Sequence, residues 1–213
     1  MAKATTQVVC QECGARHTKW AGRCNSCGAW NSLVEELPIS RDVALSSVKG
    51  TLLTPTRVGK VAKSQKATRL KTDVSDVDAV LGGGFVSGSV NLIAGQPGIG
   101  KSTLLMQLAA QLSAKQAVLY VSGEESLEQV SMRSERITPK NQRVLLASST
   151  SSDNIAETIL SGQYQVVIVD SIQTVSCQSV SSAPGTVSQI TNSTYLLTQA
   201  AKATNTTLII VGH

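Results

Sequence analysis

Apolar and polar positions change their spacing several times along the chain, and each change marks an element. Val90-Asn91-Leu92-Ile93-Ala94 is an apolar run of strand length, and Leu104-Leu105-Met106-Gln107-Leu108-Ala109 after it has a helical period. Ala117-Val118-Leu119-Tyr120-Val121 predicts a strand that ends at Ser122-Gly123-Glu124-Glu125. A helix is expected from Leu127 to Arg136, then a strand at Val144-Leu145-Leu146-Ala147. Val166-Val167-Ile168-Val169 is apolar at every position, as in a parallel strand covered on both faces, and it ends in Asp170. A helix near Ser188 to Ala203 leads to a strand at Thr207-Leu208-Ile209-Ile210-Val211, followed by Gly212-His213. Strand and helix alternate, so the fold class is α/β with a mainly parallel sheet.

Upstream the pattern fades. Asp73 to Leu81 reads as a short helix capped by Asp73 or Ser75 and ended by Gly82-Gly83-Gly84. From about Glu35 to Leu70 no period is sustained, and a linker with one short strand near Leu52-Leu53 is expected.

The loop between the first strand–helix pair carries the clearest chemistry. Gly95-Gln96-Pro97-Gly98-Ile99-Gly100-Lys101-Ser102-Thr103 fits G-x-x-x-x-G-K-[ST], a phosphate-binding loop in its strand–loop–helix setting. The glycines let backbone N–H groups face a polyphosphate, and the helix N-terminus adds partial positive charge. Lys101 is expected to reach the terminal phosphates and Ser102 to ligate Mg²⁺. Asp170, at a strand's C-terminal end, has the position of a Walker-B aspartate that holds Mg²⁺ together with Ser102. Glu124 is placed to accept a proton from water attacking the γ-phosphate, with Glu125 as an assistant or a surface charge. His213, at another strand end, is a candidate γ-phosphate sensor.

Near the N-terminus, Cys10-Gln11-Glu12-Cys13-Gly14 and Cys24-Asn25-Ser26-Cys27-Gly28 form two C-x-x-C-G knuckles. Four thiolates at this spacing close a tetrahedral zinc site, with a tight turn at each glycine. So small a module folds on metal-binding energy. Trp20 and Trp30 are expected to pack against its core, His17 to be a surface residue, and Cys177 to be a free thiol in a polar loop. The chain thus divides into a zinc module at 1–34, a basic linker at 35–71 and an ATPase core at 72–213.

Charge sharpens this division. The net charge of +5 conceals 12 Lys/Arg against 4 acids in residues 1–72. A basic third on an acidic remainder suits an anionic polymer, most often nucleic acid. Aromatics are 3% of residues, too few for a single-strand surface built mainly on stacked rings. There is no run of about 18 apolar residues and no charged-then-apolar leader, so a soluble cytoplasmic protein with no membrane partner is expected.

Together these segments resemble the bacterial RadA (Sms) family of DNA-repair and recombination ATPases. The likeness runs through Trp20-x-Gly22-x-Cys24-x-x-Cys27-Gly28-x-Trp30-Asn31, Leu81-Gly82-Gly83-Gly84, the phosphate loop, Tyr120-Val121-Ser122-Gly123-Glu124-Glu125-Ser126, Asp170-Ser171-Ile172-Gln173-Thr174 and Ala183-Pro184-Gly185-Thr186-Val187-Ser188-Gln189. It implies a RecA-like core and DNA-stimulated ATP hydrolysis with Mg²⁺. It also implies a homo-hexamer acting on single-stranded or branched DNA in branch migration, with a recombinase partner. Asn25 departs from the family's usual proline, and Thr191-Asn192 from its usual Arg-Glu. The segments the family carries past Gly-His are not in this sequence, which reads as a C-terminally shortened member with an unprotected sheet edge and weak activity of its own. A KaiC-like signalling ATPase shares the triple glycine and paired glutamates, but the zinc module argues against it. A nucleotide- or DNA-binding remnant without activity is a third reading, favoured by the early stop.

Overall fold

The computed structural model describes residues 7–36, 53–57, 68–137 and 143–212. Contacts divide the chain into two compact units, Met1–Val58 and Gly59–His213. His213 and Leu52, and most of the expected linker, lie outside the described residues. Leu53 is described and is not in a strand.

In the first unit, β1 (Gln7–Cys10) pairs antiparallel with β2 (Arg16–His17) and β3 (Leu33–Glu36) in the order β2-β1-β3. Its core is Val8, Cys10, Cys24 and Leu33, with Ala15 and Ala21 against it. The tryptophans do not join it: Trp20 is 58% and Trp30 72% exposed, contrary to expectation. Trp20 spends its indole N–H on the Leu33 carbonyl at 3.0 Å, and Trp30 lies beneath the Arg23 guanidinium, 5.7 Å from ring centroid to Cζ. Sulfur fills the interior that indoles would occupy in a larger domain.

In the second unit, β4 (Arg69–Leu70) pairs antiparallel with β5 (Phe85–Val86). Between them lies α1 (Ser75–Val80). Neither expected cap is made. Val74 takes the N-cap position without a side-chain bond, while Asp78 accepts from Thr72 N and Oγ1 at 2.9 and 2.8 Å. The triple glycine then turns the chain back. Gly82, Gly83 and Gly84 all have positive φ, and a Cβ on Gly84 would collide with the Leu70 carbonyl.

The remaining elements build the sheet: β6 (Val90–Ala94), α2 (Lys101–Ser113), β7 (Val118–Ser122), α3 (Leu127–Ile137), β8 (Leu145–Ser148), α4 (Ser152–Leu160), β9 (Val166–Asp170), α5 (Val187–Thr204) and β10 (Thr207–Gly212). Five parallel strands run in the order β6-β10-β9-β7-β8. The expected strands of this sheet, and the helices at α3 and α5, appear within a residue or so, while α2 extends the expected run Leu104–Ala109 by three residues at its start and four at its end. No expected element corresponds to α4, whose start is capped by Ser151 Oγ accepting from Asn154 N.

Strand pleating explains the two layers of core. Val118, Tyr120, Val166, Ile168, Ile209 and Val211 face α2 and Val130 of α3. Their neighbours Leu119, Val121, Val167, Val169, Leu208 and Ile210 pack with Ile155 and Ile159 of α4 and Leu197 of α5. Covered on both faces, β7, β9 and β10 are apolar throughout, apart from their ends. β6 forms an outer strand of this sheet, paired with β10. No described helix is long and apolar enough to cross a membrane.

Candidate nucleotide site and four-cysteine cluster

The sheet topology gathers the polar strand ends. Register pairs Gly212 with Ala94 and Ser122 with Asp170, so β6, β10, β9 and β7 finish level with one another. From β6 the chain enters the loop, where Gly98 and Gly100 take φ of 79° and 97°, and α2 begins at Lys101 with no side-chain cap. Its first-turn N–H groups therefore face the loop's concavity. Lys101 Nζ donates to the carbonyls of Gly95 and Gln96 at 2.6 and 2.9 Å.

Beyond β7, Gly123 N donates to the Asp170 carbonyl at 2.8 Å, extending the strand pairing by one residue. A side chain at Gly123 would strike Thr174 Oγ1, so glycine permits this close approach. Glu124 follows, exposed, and its Oε1 accepts from Ser171 Oγ. Asp170, 9% exposed, ends β9. The Asp170–Ser171 peptide is cis.

A cavity of about 300 Å³ is lined by Pro97, Gly98, Gly100, Lys101, Ser102, Thr103, Glu124 and Asp170. Glu125 is not among them. It forms an ion pair with Arg133 at 2.6 Å and lines a neighbouring groove of about 490 Å³ with Thr103, Gln129, Met132, Arg133, Arg136 and Ile137. Gly95 and Gln96 contribute through the carbonyls that hold Lys101. Ile99 is exposed at the loop's tip.

Two residues to which the sequence assigns no role, Tyr120 and Arg133, complete the arrangement. Tyr120 Oη donates to Asp170 Oδ2 at 2.5 Å, and Arg133 Nη2 lies 3.4 Å from Tyr120 Oη. Burial, and then the charge of Asp170, push the Tyr120 phenol up, so it stays protonated and acts as a donor. The signal available in sequence was a phenol inside an otherwise aliphatic strand.

At the other site, Cys10, Cys13, Cys24 and Cys27 bring their Sγ atoms within 4.8 Å of one another. Cys10–Cys27 and Cys13–Cys24 are each 3.7 Å apart. A tetrahedral site with Zn–S of about 2.3 Å has S–S edges of about 3.8 Å, so the four sulfurs fit zinc. Both knuckles close alike: Gly14 N donates to Cys10 O at 2.8 Å and Gly28 N to Cys24 O at 2.9 Å, with both glycines at positive φ.

Crowding splits the thiols. The Cys27 backbone N–H, ahead of other donors, draws Cys24 down to about 5, and the Ser32 hydroxyl draws Cys10 down. Cys13, although the Ala15 N–H pulls the other way, is pushed up to about 12 by Cys27, burial and Cys10. His17 is not the surface residue expected. It is half-buried, with Nε2 3.3 Å from Cys24 Sγ, beside the cluster rather than in it. Cys177 is the free thiol expected, and it is buried, its backbone N–H donating to Gln189 Oε1 at 2.8 Å.

Two family models match the chain, one over each of the stretches that hold the residues of these two sites. The family described as "AAA domain" matches residues 55–213, and that described as "Rubredoxin metal binding domain" matches residues 9–35. The chain is similar to the DNA repair protein RadA of Bacillus subtilis, 43% identical over 218 residues, covering all of this chain and 47% of the relative. Relatives of the same name from Brucella abortus and Pseudomonas aeruginosa are 42% and 40% identical, again over the whole chain and covering 48% and 47% of their lengths. The chain therefore spans about half the length of the curated relatives it matches. With a glycine-rich loop of phosphate-binding type set in a parallel sheet, the chain belongs to the AAA domain family, and over its whole length, four-cysteine cluster included, it is similar to about half the length of the DNA repair proteins named RadA.

Proposed function

We propose that this chain carries the nucleotide-hydrolysing centre of a DNA-dependent ATPase of recombinational repair, one that processes recombination intermediates by branch migration. The observation behind this reading is the convergence of Lys101, Ser102, Glu124 and Asp170 on one cavity from three strand ends. In this reading the loop N–H groups and Lys101 hold the triphosphate, the ammonium passing from loop carbonyls to phosphate oxygens. Ser102 Oγ and Asp170 would hold Mg²⁺, which when bound would neutralise phosphate charge. Glu124, oriented by Ser171, takes the proton of the attacking water, while Glu125 stays with Arg133. His213, one residue beyond β10, is the proposed γ-phosphate sensor.

The four cysteines hold a structural zinc. DNA as the partner draws on the relatives' printed name and on the basic N-terminal third. A homo-hexamer, a recombinase partner and a cytoplasmic location draw on the family likeness alone.

The test is ATP turnover with and without single-stranded DNA, on this chain and on Lys101→Ala. Expected are slow, DNA-stimulated turnover, its loss in Lys101→Ala, and zinc at about one per chain in both. Turnover in Lys101→Ala equal to that of the unsubstituted chain would overturn the reading.

A further inference from the structure

Asp170 and Glu125 stand at the ends of different strands, yet two side chains join them. Tyr120 Oη donates to Asp170 Oδ2, Arg133 Nη2 approaches Tyr120 Oη, and Arg133 Nη1 pairs with Glu125 Oε2. Tyr120 is wholly buried among aliphatic residues of β7 and the α2 layer. A phenol at such a position needs an acceptor, and the one it has is a carboxylate that lines the cavity. The Arg133 side chain is 20% exposed, and its Nε is buried without a partner among the described residues. An unpaired donor costs stability, which a residue serving packing alone would avoid.

We infer that Tyr120 and Arg133 are positioning residues for metal-nucleotide binding: Tyr120 fixes the Asp170 carboxylate by occupying Oδ2 and leaving Oδ1 for the cavity, and Arg133 anchors Tyr120 while holding Glu125 out of it. This rests on the proposed function, because it takes the cavity of Lys101 and Ser102 as the site of Mg²⁺–ATP. The division between adjacent glutamates follows from it. Glu125 is committed to α3 through Arg133, so Glu124 alone of the two reaches the cavity. The same contacts tie α3, and the groove it lines with Met132 and Arg136, to the orientation of Asp170.

The experiment titrates a fluorescent ATP analogue, mant-ATP, into the full chain with and without Mg²⁺, for the unsubstituted protein, Tyr120→Phe, Arg133→Gln and Arg133→Lys. Tyr120→Phe keeps the ring and removes the donor. It should weaken Mg²⁺-dependent binding by about tenfold or more, the scale of one hydrogen bond to a charged group, and leave metal-free binding unchanged. Arg133→Gln should weaken it less, and Arg133→Lys should recover part of the loss. Unaltered Mg²⁺ dependence in Tyr120→Phe overturns the inference, as does a loss of equal size with and without Mg²⁺, the mark of a merely structural role. If the unsubstituted chain binds no mant-ATP, the proposed function itself fails, a result distinct from the other two.

Discussion

Glu124 accepts a hydrogen bond from Ser171, the residue next after Asp170, so the carboxylate beyond β7 is tied to the end of β9. Two acids far apart in sequence are thereby fixed on one cavity with different surroundings. Asp170 is buried and bonded to a phenol; Glu124 is exposed and bonded to a hydroxyl.

Replacing Glu124 with Gln should therefore lower ATP turnover by about 10²–10⁴-fold, the usual contribution of a general base, with nucleotide affinity retained. Glu125→Gln should cost far less, because Glu125 does not line the cavity. Steady-state kinetics beside mant-ATP titration separate the two outcomes.

Metal removal should act on one unit alone. Chelation should unfold residues 7–36, since their core of Val8, Leu33 and two cysteines is too small to persist without it. The sheet of the second unit should keep its melting transition. Far-ultraviolet circular dichroism and the fluorescence of Trp20 and Trp30 report the two units separately, as both tryptophans of the chain lie in the first.

Within that unit, Trp30→Ala should leave zinc affinity nearly unchanged, forfeiting at most the cation–π contact with Arg23, about 0.5–1 kcal/mol. Leu33→Ala removes a buried side chain and should cost about 2–5 kcal/mol. Competition with a zinc chelator ranks them, and a larger effect at Trp30 than at Leu33 would contradict the burial described.

Gly84→Ala should lower the thermal midpoint more than Gly98→Ala. Both glycines have positive φ, which costs an alanine about 1–2 kcal/mol. Only Gly84 also brings the new methyl onto the Leu70 carbonyl, whereas Gly98 has open space. Differential scanning calorimetry of the two variants decides the order.

Asp78 makes a pH prediction. Its carboxylate is held below its ordinary value, first by the Thr72 backbone N–H and further by the Thr72 hydroxyl. A depressed carboxylate contributes stability that is full above its unfolded value of about 3.9 and is lost as pH falls through the lower folded value. Asp78→Asn should flatten that acid limb, visible in thermal midpoints measured between about pH 2 and 5.

Much of the candidate nucleotide site is legible in sequence because its parts are local. Gly98, Gly100 and Lys101 follow one strand and open one helix, so spacing alone orders them. Strands β7, β9 and β10 announced themselves as unbroken apolar runs because both faces are covered. Helix α4 escaped notice because Ile155, Ala156 and Ile159 are its buried apolar residues, set among Ser, Asp and Asn that read as loop. The placement of Trp20 and Trp30 was misjudged for a different reason: apolar character implies burial only where a module has interior to offer. Tyr120, Arg133 and the buried state of Cys177 depend on contacts between elements distant in sequence, and no local period records those.

Strand β10 lies between β6, which launches the phosphate loop, and β9, which ends in Asp170. Neighbouring strands are held about 4.8 Å apart by backbone pairing, so the gap between the glycine-rich loop and Asp170 is set at two such steps. That span is a property of the main chain. Substitution at the strand ends changes which groups look across the gap while leaving its width alone, and β10 acts as a gauge block between the two.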